Sequence, residues 1–224
     1  MKSSEDLRRL LESIDRKSYP AYKSAQGAYD FGNYTLSIDH VQGDPFAAPS
    51  KVSVQVSHAK AGFPAAFFDQ PWKKTAFEDD LVRQFGREIA QFNFKAKGSG
   101  KSGLMAISTP GPEILSRTAC ECGKNGIAIR CVRNVLFASP QNKKRLQAVS
   151  DLAEDQHFIR QELNRLNLVS FVADGAVLAR ESGISSRPMK SCVPFRSPES
   201  LQVTLDLPHK GKLTGMGIRR GITL

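Results

Sequence analysis

Missing from the chain is any apolar run close to the roughly 18–20 residues that cross a bilayer, which excludes a membrane-spanning helix. Its opening, Met1-Lys2-Ser3-Ser4-Glu5-Asp6, puts acids where a signal peptide carries its basic and apolar regions. The expectation is a soluble, cytoplasmic protein with no membrane partner. Cysteine is scarce: Cys120, Cys122, Cys131 and Cys192 are the four, and none forms the Cys-x-x-Cys pair of a zinc site. Cys120 and Cys122, two apart on an alternating strand, share one face and read as reduced structural thiols, so no metal ligand is assigned. The four histidines, His40, His58, His157 and His209, are scattered, and no serine or cysteine sits in an elbow or redox motif. No catalytic residue is therefore assigned. Aromatics make up 8% of the chain, and the basic stretches lack the interleaved aromatics of a base-stacking platform.

What the chain does have is 224 residues, 40% of them apolar, which suffices for one substantial core or two small ones. Its net charge of +10 calls for an acidic partner or a solvated basic surface. The distribution is uneven. Residues 1–95 carry 13 basic and 12 acidic side chains, residues 151–224 carry 10 and 8, and residues 96–150 carry 9 and 2. The excess is concentrated in the middle stretch, the natural candidate for contact with RNA or DNA.

Leu7, Leu10, Leu11 and Ile14 recur at helical spacing behind Ser3 or Ser4, which can cap, with Pro20 beyond the end. Tyr34, Leu36 and Ile38 alternate with polar residues, as do Val52, Val54 and Val56, so each set lines one face of a strand. Gly43-Asp44-Pro45 forms a stiff turn between them, and His40 and Asp44 are placed to pair there. Thr75-Ala76-Phe77-Glu78 fits a capping box. Leu81, Val82, Phe85 and Ile89 then form the buried stripe of a helix over 76–91, with Asp79 and Asp80 as its acidic first turn. Phe92-Asn93-Phe94 begins a strand, and further β segments are expected at 104–107, 127–132, 168–173 and 201–207. A third helix spans about 151–167 with Leu152, Ile159, Leu163 and Leu166 inward. Residues 182–198, with Gly183, Pro188, Pro194 and Pro198, read as an irregular connection into the last β segment. The fold class that follows is α+β, a mixed sheet with about three helices.

Gly98-Ser99-Gly100-Lys101-Ser102 looks like the tail of a Walker A loop, where backbone amides cradle phosphates. The pattern needs a glycine where Lys95 stands and a helix after Ser102, where Gly103 and Pro110-Gly111-Pro112 follow instead. The better functional reading is a glycine-rich hairpin tip carrying Lys95, Lys97 and Lys101 towards a polyanion, with Lys143, Lys144 and Arg145 as a second contact. A solvated basic loop with no ligand is the alternative.

Several longer stretches point further. They are Tyr19-Pro20-Ala21-Tyr22-Lys23, then His40-Val41-Gln42-Gly43-Asp44-Pro45-Phe46-Ala47-Ala48-Pro49-Ser50, and the Gly98–Gly103 loop. Leu168-Val169-Ser170-Phe171-Val172-Ala173-Asp174-Gly175-Ala176, Val193-Pro194-Phe195-Arg196-Ser197-Pro198-Glu199-Ser200-Leu201 and Gly215-Met216-Gly217-Ile218 complete the set. Together they resemble the ATPases of the ABC class, a family with a large N-terminal region, an ABC-type nucleotide-binding core and a C-terminal extension.

The resemblance implies an N-terminal accessory α+β domain over 1 to about 190, followed over 191–224 by the first antiparallel β elements of the ABC core. In the family the segment matching Gly217–Leu224 runs into Walker A, with Walker B and the signature motif further on, so the chain is expected to be a fragment and inactive alone. Hydrolysis, ATP and Mg2+ would belong to the full-length protein, with no cofactor in this chain. The implied partners are its own downstream ABC core, a second copy in a homodimer, and RNA or DNA. Arg180, Ser182 and Gly183 match a segment that could approach the nucleotide. Gln42, Gly43, Asp44, Pro45, Phe46, Asp174 and Gly175 would be structural motif residues. Two stretches depart from the family: Arg133-Asn134-Val135-Leu136-Phe137-Ala138 replaces a Gly-Leu-Pro-Ala segment, and Leu178-Ala179-Arg180 replaces Leu-Pro-Arg. Residues 197–224 also hold no aromatic apart from His209 on which an adenine could stack. A free-standing nucleic-acid-binding module is the rival reading.

Overall fold

Alternation of apolar and polar residues builds the first half of the molecule. Strand β3 (Thr35–His40) pairs antiparallel with β4 (Lys51–Val56), with Leu36 opposite Val54 and Ile38 opposite Val52 on one face and Ser37 opposite Ser53 on the other. Strand β6 (Gly126–Ile129) continues the inner face, Ile129 against Val54 and Ile127 against Val56. Outside it, β5 (Cys120–Gly123) aligns Cys120 and Cys122 with Ile129 and Ile127, so both thiols are buried on the core face as their spacing predicts. With β1 (Lys2–Ser3) parallel to β2 (Gly27–Asp30), the six strands run β1-β2-β3-β4-β6-β5 in a mixed sheet. Gly126 has φ +153, and any Cβ there would collide with the Val56 carbonyl, so the strand crossing needs glycine at that point.

The computed structural model describes residues 1–44, 46–92, 105–108, 111–130 and 140–221. Helix α1 (Ser4–Ile14) begins as the sequence predicts. The Ser3 hydroxyl accepts the Asp6 N–H at 3.1 Å, and the Asp6 carboxylate accepts the Ser3 N–H at 2.9 Å. Leu7 and Ile14 face inward onto Tyr29 and Ala25, while Leu11 is exposed. Two single-turn helices, α2 (Tyr19–Tyr22) and α3 (His58–Ala61), add to the three long ones.

Helix α4 (Pro71–Phe92) starts earlier than residue 76. Proline is preorganised for the first helical position, and the Thr75-to-Glu78 capping box does not form. The Thr75 hydroxyl donates back to the Pro71 carbonyl at 3.0 Å, and the Glu78 carboxylate accepts the Cys122 N–H at 2.7 Å. Asp79 and Asp80 thus lie inside the helix rather than in its first turn. Phe77, Leu81, Val82, Phe85 and Ile89 pack on Val54, Val56, Ile127 and Ile129, which forms the main core. Phe92 is still helical, so no strand begins there, and 93–94 lie outside the described residues.

Helix α5 (Pro140–Arg165) is likewise longer than 151–167. Leu146, Ser150, Ala153 and Asp155 are its buried positions and Leu152 is exposed. The buried stripe of α5 therefore runs through Leu146, Ser150 and Ala153, which leaves Leu152 on another side of the helix. Residues 105–108 carry no strand, although Ile107 packs on the core; Leu104 and Val132 lie outside the described residues.

A second sheet, ordered β7-β9-β8, follows α5 from β7 (Leu168–Ala173), β8 (Gln202–Leu207) and β9 (Gly211–Arg219), all antiparallel. The expected boundaries hold closely for β7 and β8, and β9 adds a strand that was not expected. A Cβ on Gly215 or Gly217 would strike Val172 and Phe171, or Val203 and Leu168, so the spaced glycines of β9 let β7 and β8 side chains close over it. The architecture is mixed α+β, as expected.

Candidate functional site

Three constructions from the sequence and one unforeseen cluster carry the chemistry. The first is the turn after β3. The Gln42 N–H donates to the Ser50 hydroxyl at 2.9 Å, and the Gln42 amide donates to the Asp44 carbonyl at 2.8 Å. The Asp44 carboxylate accepts the N–H groups of Phe46 and Ala47 at 2.8 and 2.9 Å. This braced turn leaves Phe46 fully exposed, at 99%. Gly43 runs beside the Lys23 side chain; Pro45 lies outside the described residues. The expected His40–Asp44 pair is absent: Asp44 is committed to its own turn, and the buried His40 Nε2 has no hydrogen-bond partner among the described residues.

The second is a row of buried acids on α4. Asp79 accepts from Arg83 at 2.6 Å and from Arg117 at 2.8 Å, and Asp80 accepts from Gln84 at 2.8 Å and pairs with Arg145. Arg83 also donates to the carbonyls of Gly111 and Glu113, so the row ties residues 111–117 to α4. Burial pushes the Glu78 carboxyl up, with the Cys122 N–H working against it. Burial likewise raises the Cys120 thiol well above its ordinary range and the Cys122 thiol to about 11.

The third lies past β7. Asp174 accepts the Ser197 N–H at 2.6 Å and its hydroxyl at 3.0 Å, while Gly175, at φ +82, donates its N–H to the Phe195 carbonyl at 2.8 Å. This lock closes a small exposed hairpin. Met189 N–H donates to Ala179 O and Glu181 N–H to Arg187 O, both at 2.9 Å, with Arg180 bridged to Pro188. Arg180, Ser182 and Gly183 are exposed on it.

The unforeseen cluster joins α5 to the β8–β9 turn. Asp155 accepts the His209 N–H at 2.9 Å and the Lys210 N–H at 3.1 Å. The His209 ring lies 2.9 Å from Glu154 through Nε2 and 3.6 Å from Asp151 through Nδ1, and Lys73 of α4 reaches Glu154 at 3.4 Å. Next to it, Trp72 stacks on His157 with centroids 3.7 Å apart. The hydrogen bond from Glu154, together with the nearby carboxylates, raises the His209 pKa, and the same bond lowers that of Glu154. No single-residue pattern signals this cluster. Its acids sit at i, i+3 and i+4 of a helix, which alone indicates only a polar face.

Of the expected nucleic-acid contacts, Lys143 and Lys144 are exposed, whereas Arg145 turns inward to Asp80. Lys95, Lys97 and Lys101 lie outside the described residues. Among the described residues no glycine loop precedes a long helix. The N-terminus of α1 is filled by Asp6, so it does not fit a triphosphate. Groups of histidine, cysteine and carboxylate able to hold a metal are also absent among the described residues. No described helix is long and apolar enough to cross a membrane.

Two family models match the chain. The model for the N-terminal region of ATPases of the ABC class covers residues 4–152, and the P-loop domain model of those ATPases covers residues 142–224. No curated protein matches it.

Proposed function

Because the chain belongs to the ATPases of the ABC class, we propose that its residues 1 to about 190 serve as an accessory frame for the family's ATP-binding core. The observation that carries this is α5. The two family regions overlap at 142–152, inside this one helix. Its first half is pinned to α4 by Leu146 and the Arg145–Asp80 pair, and its second half seats β7 and the β8–β9 turn. One helix thus packs against elements of both regions and joins them directly. β7 pairs along its length with β9, which ties the frame to the first core strands. No Gly-x4-Gly-Lys-Ser/Thr pattern occurs among the 224 residues, so this reading assigns hydrolysis to the family's core and not to the frame. ATP and Mg2+ are accordingly substrate and cofactor of the full-length protein.

The frame also presents the basic stretch 96–150 to RNA or DNA. Support comes from the imbalance of nine bases to two acids and from exposed Lys143 and Lys144. Arg117 and Arg145 are spent on Asp79 and Asp80 and take no part. The test is a salt titration of single-stranded RNA binding by the full chain. Affinity should fall steeply with salt, and replacing Lys143 and Lys144 with alanine should lower the log–log slope by about 1.4, two phosphate contacts at roughly 0.7 each. No binding at low salt removes this part of the reading and leaves the frame standing.

A further inference from the structure

The cluster between α5 and the β8–β9 turn does more than fasten two elements. We propose that it is a protonation-controlled latch, in which charged His209 clasps Asp151 and Glu154 and holds the second sheet against the α4–α5 pair.

The geometry sets the ring's position independently of its charge. Asp155 takes the backbone N–H groups of both His209 and Lys210, so the turn is anchored and the imidazole is left standing between two carboxylates. Each ring nitrogen faces one of them, Nε2 at 2.9 Å from Glu154 and Nδ1 at 3.6 Å from Asp151. A neutral imidazole carries one N–H and can satisfy one carboxylate, turning a lone pair towards the other; only the imidazolium donates to both. The groups around the ring are Asp151, Glu154 and Asp155 from α5, Lys73 from α4, and Lys210 beside it in the turn. Lys73 is shared with Asp69 at 3.9 Å, and Gln147 donates to Asp151 at 2.7 Å. Without the imidazolium, three carboxylates converge with Lys73 as their one paired cation among the described residues.

The sign follows from the two shifts. The His209 pKa is raised, so its contribution is complete below the ordinary value of 6.5 and is lost as pH rises through the folded value. That of Glu154 is lowered, so its contribution is complete above the ordinary 4.5 and is lost as pH falls through the folded value. The latch is therefore tightest between those two values. Helix α5 is shared by the two family regions and its Glu154 also takes Lys73 of α4, so release of His209 loosens the second region's sheet from that join. The latch stands whether or not the basic stretch binds nucleic acid.

The test is an NMR titration of His209 in the full chain, with amide exchange of residues 207–211 followed across about pH 5 to about pH 8. The expected midpoint lies above 6.5, shifts down in Glu154→Gln and Asp151→Asn, and coincides with a loss of protection in the turn. His209→Gln should exchange in the turn at a rate that, once corrected for intrinsic chemistry, no longer changes with pH. A midpoint at or below 6.5, or unchanged pH dependence in His209→Gln, overturns the latch. Should that variant fail to fold, the wild-type titration still decides.

Discussion

Asp79 is the clearest case of one side chain setting local order. Its carboxylate is 2% exposed and is held by Arg83 and Arg117 at 2.6 and 2.8 Å, while Arg83 in turn holds the Gly111 and Glu113 carbonyls. Breaking a buried pair leaves an uncompensated charge and costs roughly 3–5 kcal/mol. Asp79→Ala should therefore lower unfolding stability by about that amount and release residues 111–117, as read by urea denaturation and proteolysis; a change within about 0.5 kcal/mol, the surface-site range, would refute it. The thiols give a second check. Burial holds Cys120 and Cys122 in their protonated form, Cys122 to about 11, so iodoacetamide at neutral pH should spare both in the native chain and label both in denaturant. At this scale the sequence was readable where the chemistry is local. Ser3 and Asp6 form the box their spacing predicts, and Cys120 and Cys122 share a face. Thr75 and Glu78 show the same spacing, yet upstream Pro71 starts the helix and a distant strand amide claims the glutamate. Partners more than forty residues away leave no trace in a four-residue pattern.

Among the elements, the segment after β7 depends on a single carboxylate. Asp174 holds Ser197 twice, and Gly175 adds a backbone bond to Phe195, so the two sides of the exposed 179–189 hairpin are closed at their base. Asp174→Ala should raise amide exchange across 176–197 while β7, β8 and β9 keep their protection; no change in exchange would show that the backbone bonds suffice. Strands β3, β4, β6, β7 and β8 were legible because period-two alternation fixes their faces directly, whereas the glycine-spaced β9 was not read as a strand. The two long helices were cut short for a different reason. Both were missed at their N-terminal ends, where α4 begins at Pro71 and α5 at Pro140; a proline preorganised for the first helical position starts each helix ahead of its apolar stripe.

For the molecule as a whole, the fold class and family were legible from long motif stretches, whereas the join between regions was not. It rests on Arg145, Lys73 and His209 meeting acids brought close only by the packing of α4, α5 and the β8–β9 turn. A protein framing a catalytic core should be stable and binding-competent without chemistry of its own. The most direct test is ATP hydrolysis by the purified 224-residue chain with Mg2+, at saturating nucleotide. The account predicts phosphate release indistinguishable from a protein-free blank, and the same result for Lys101→Ala. Release clearly above the blank, abolished by Lys101→Ala, would show that the chain carries its own triphosphate site and would contradict the frame.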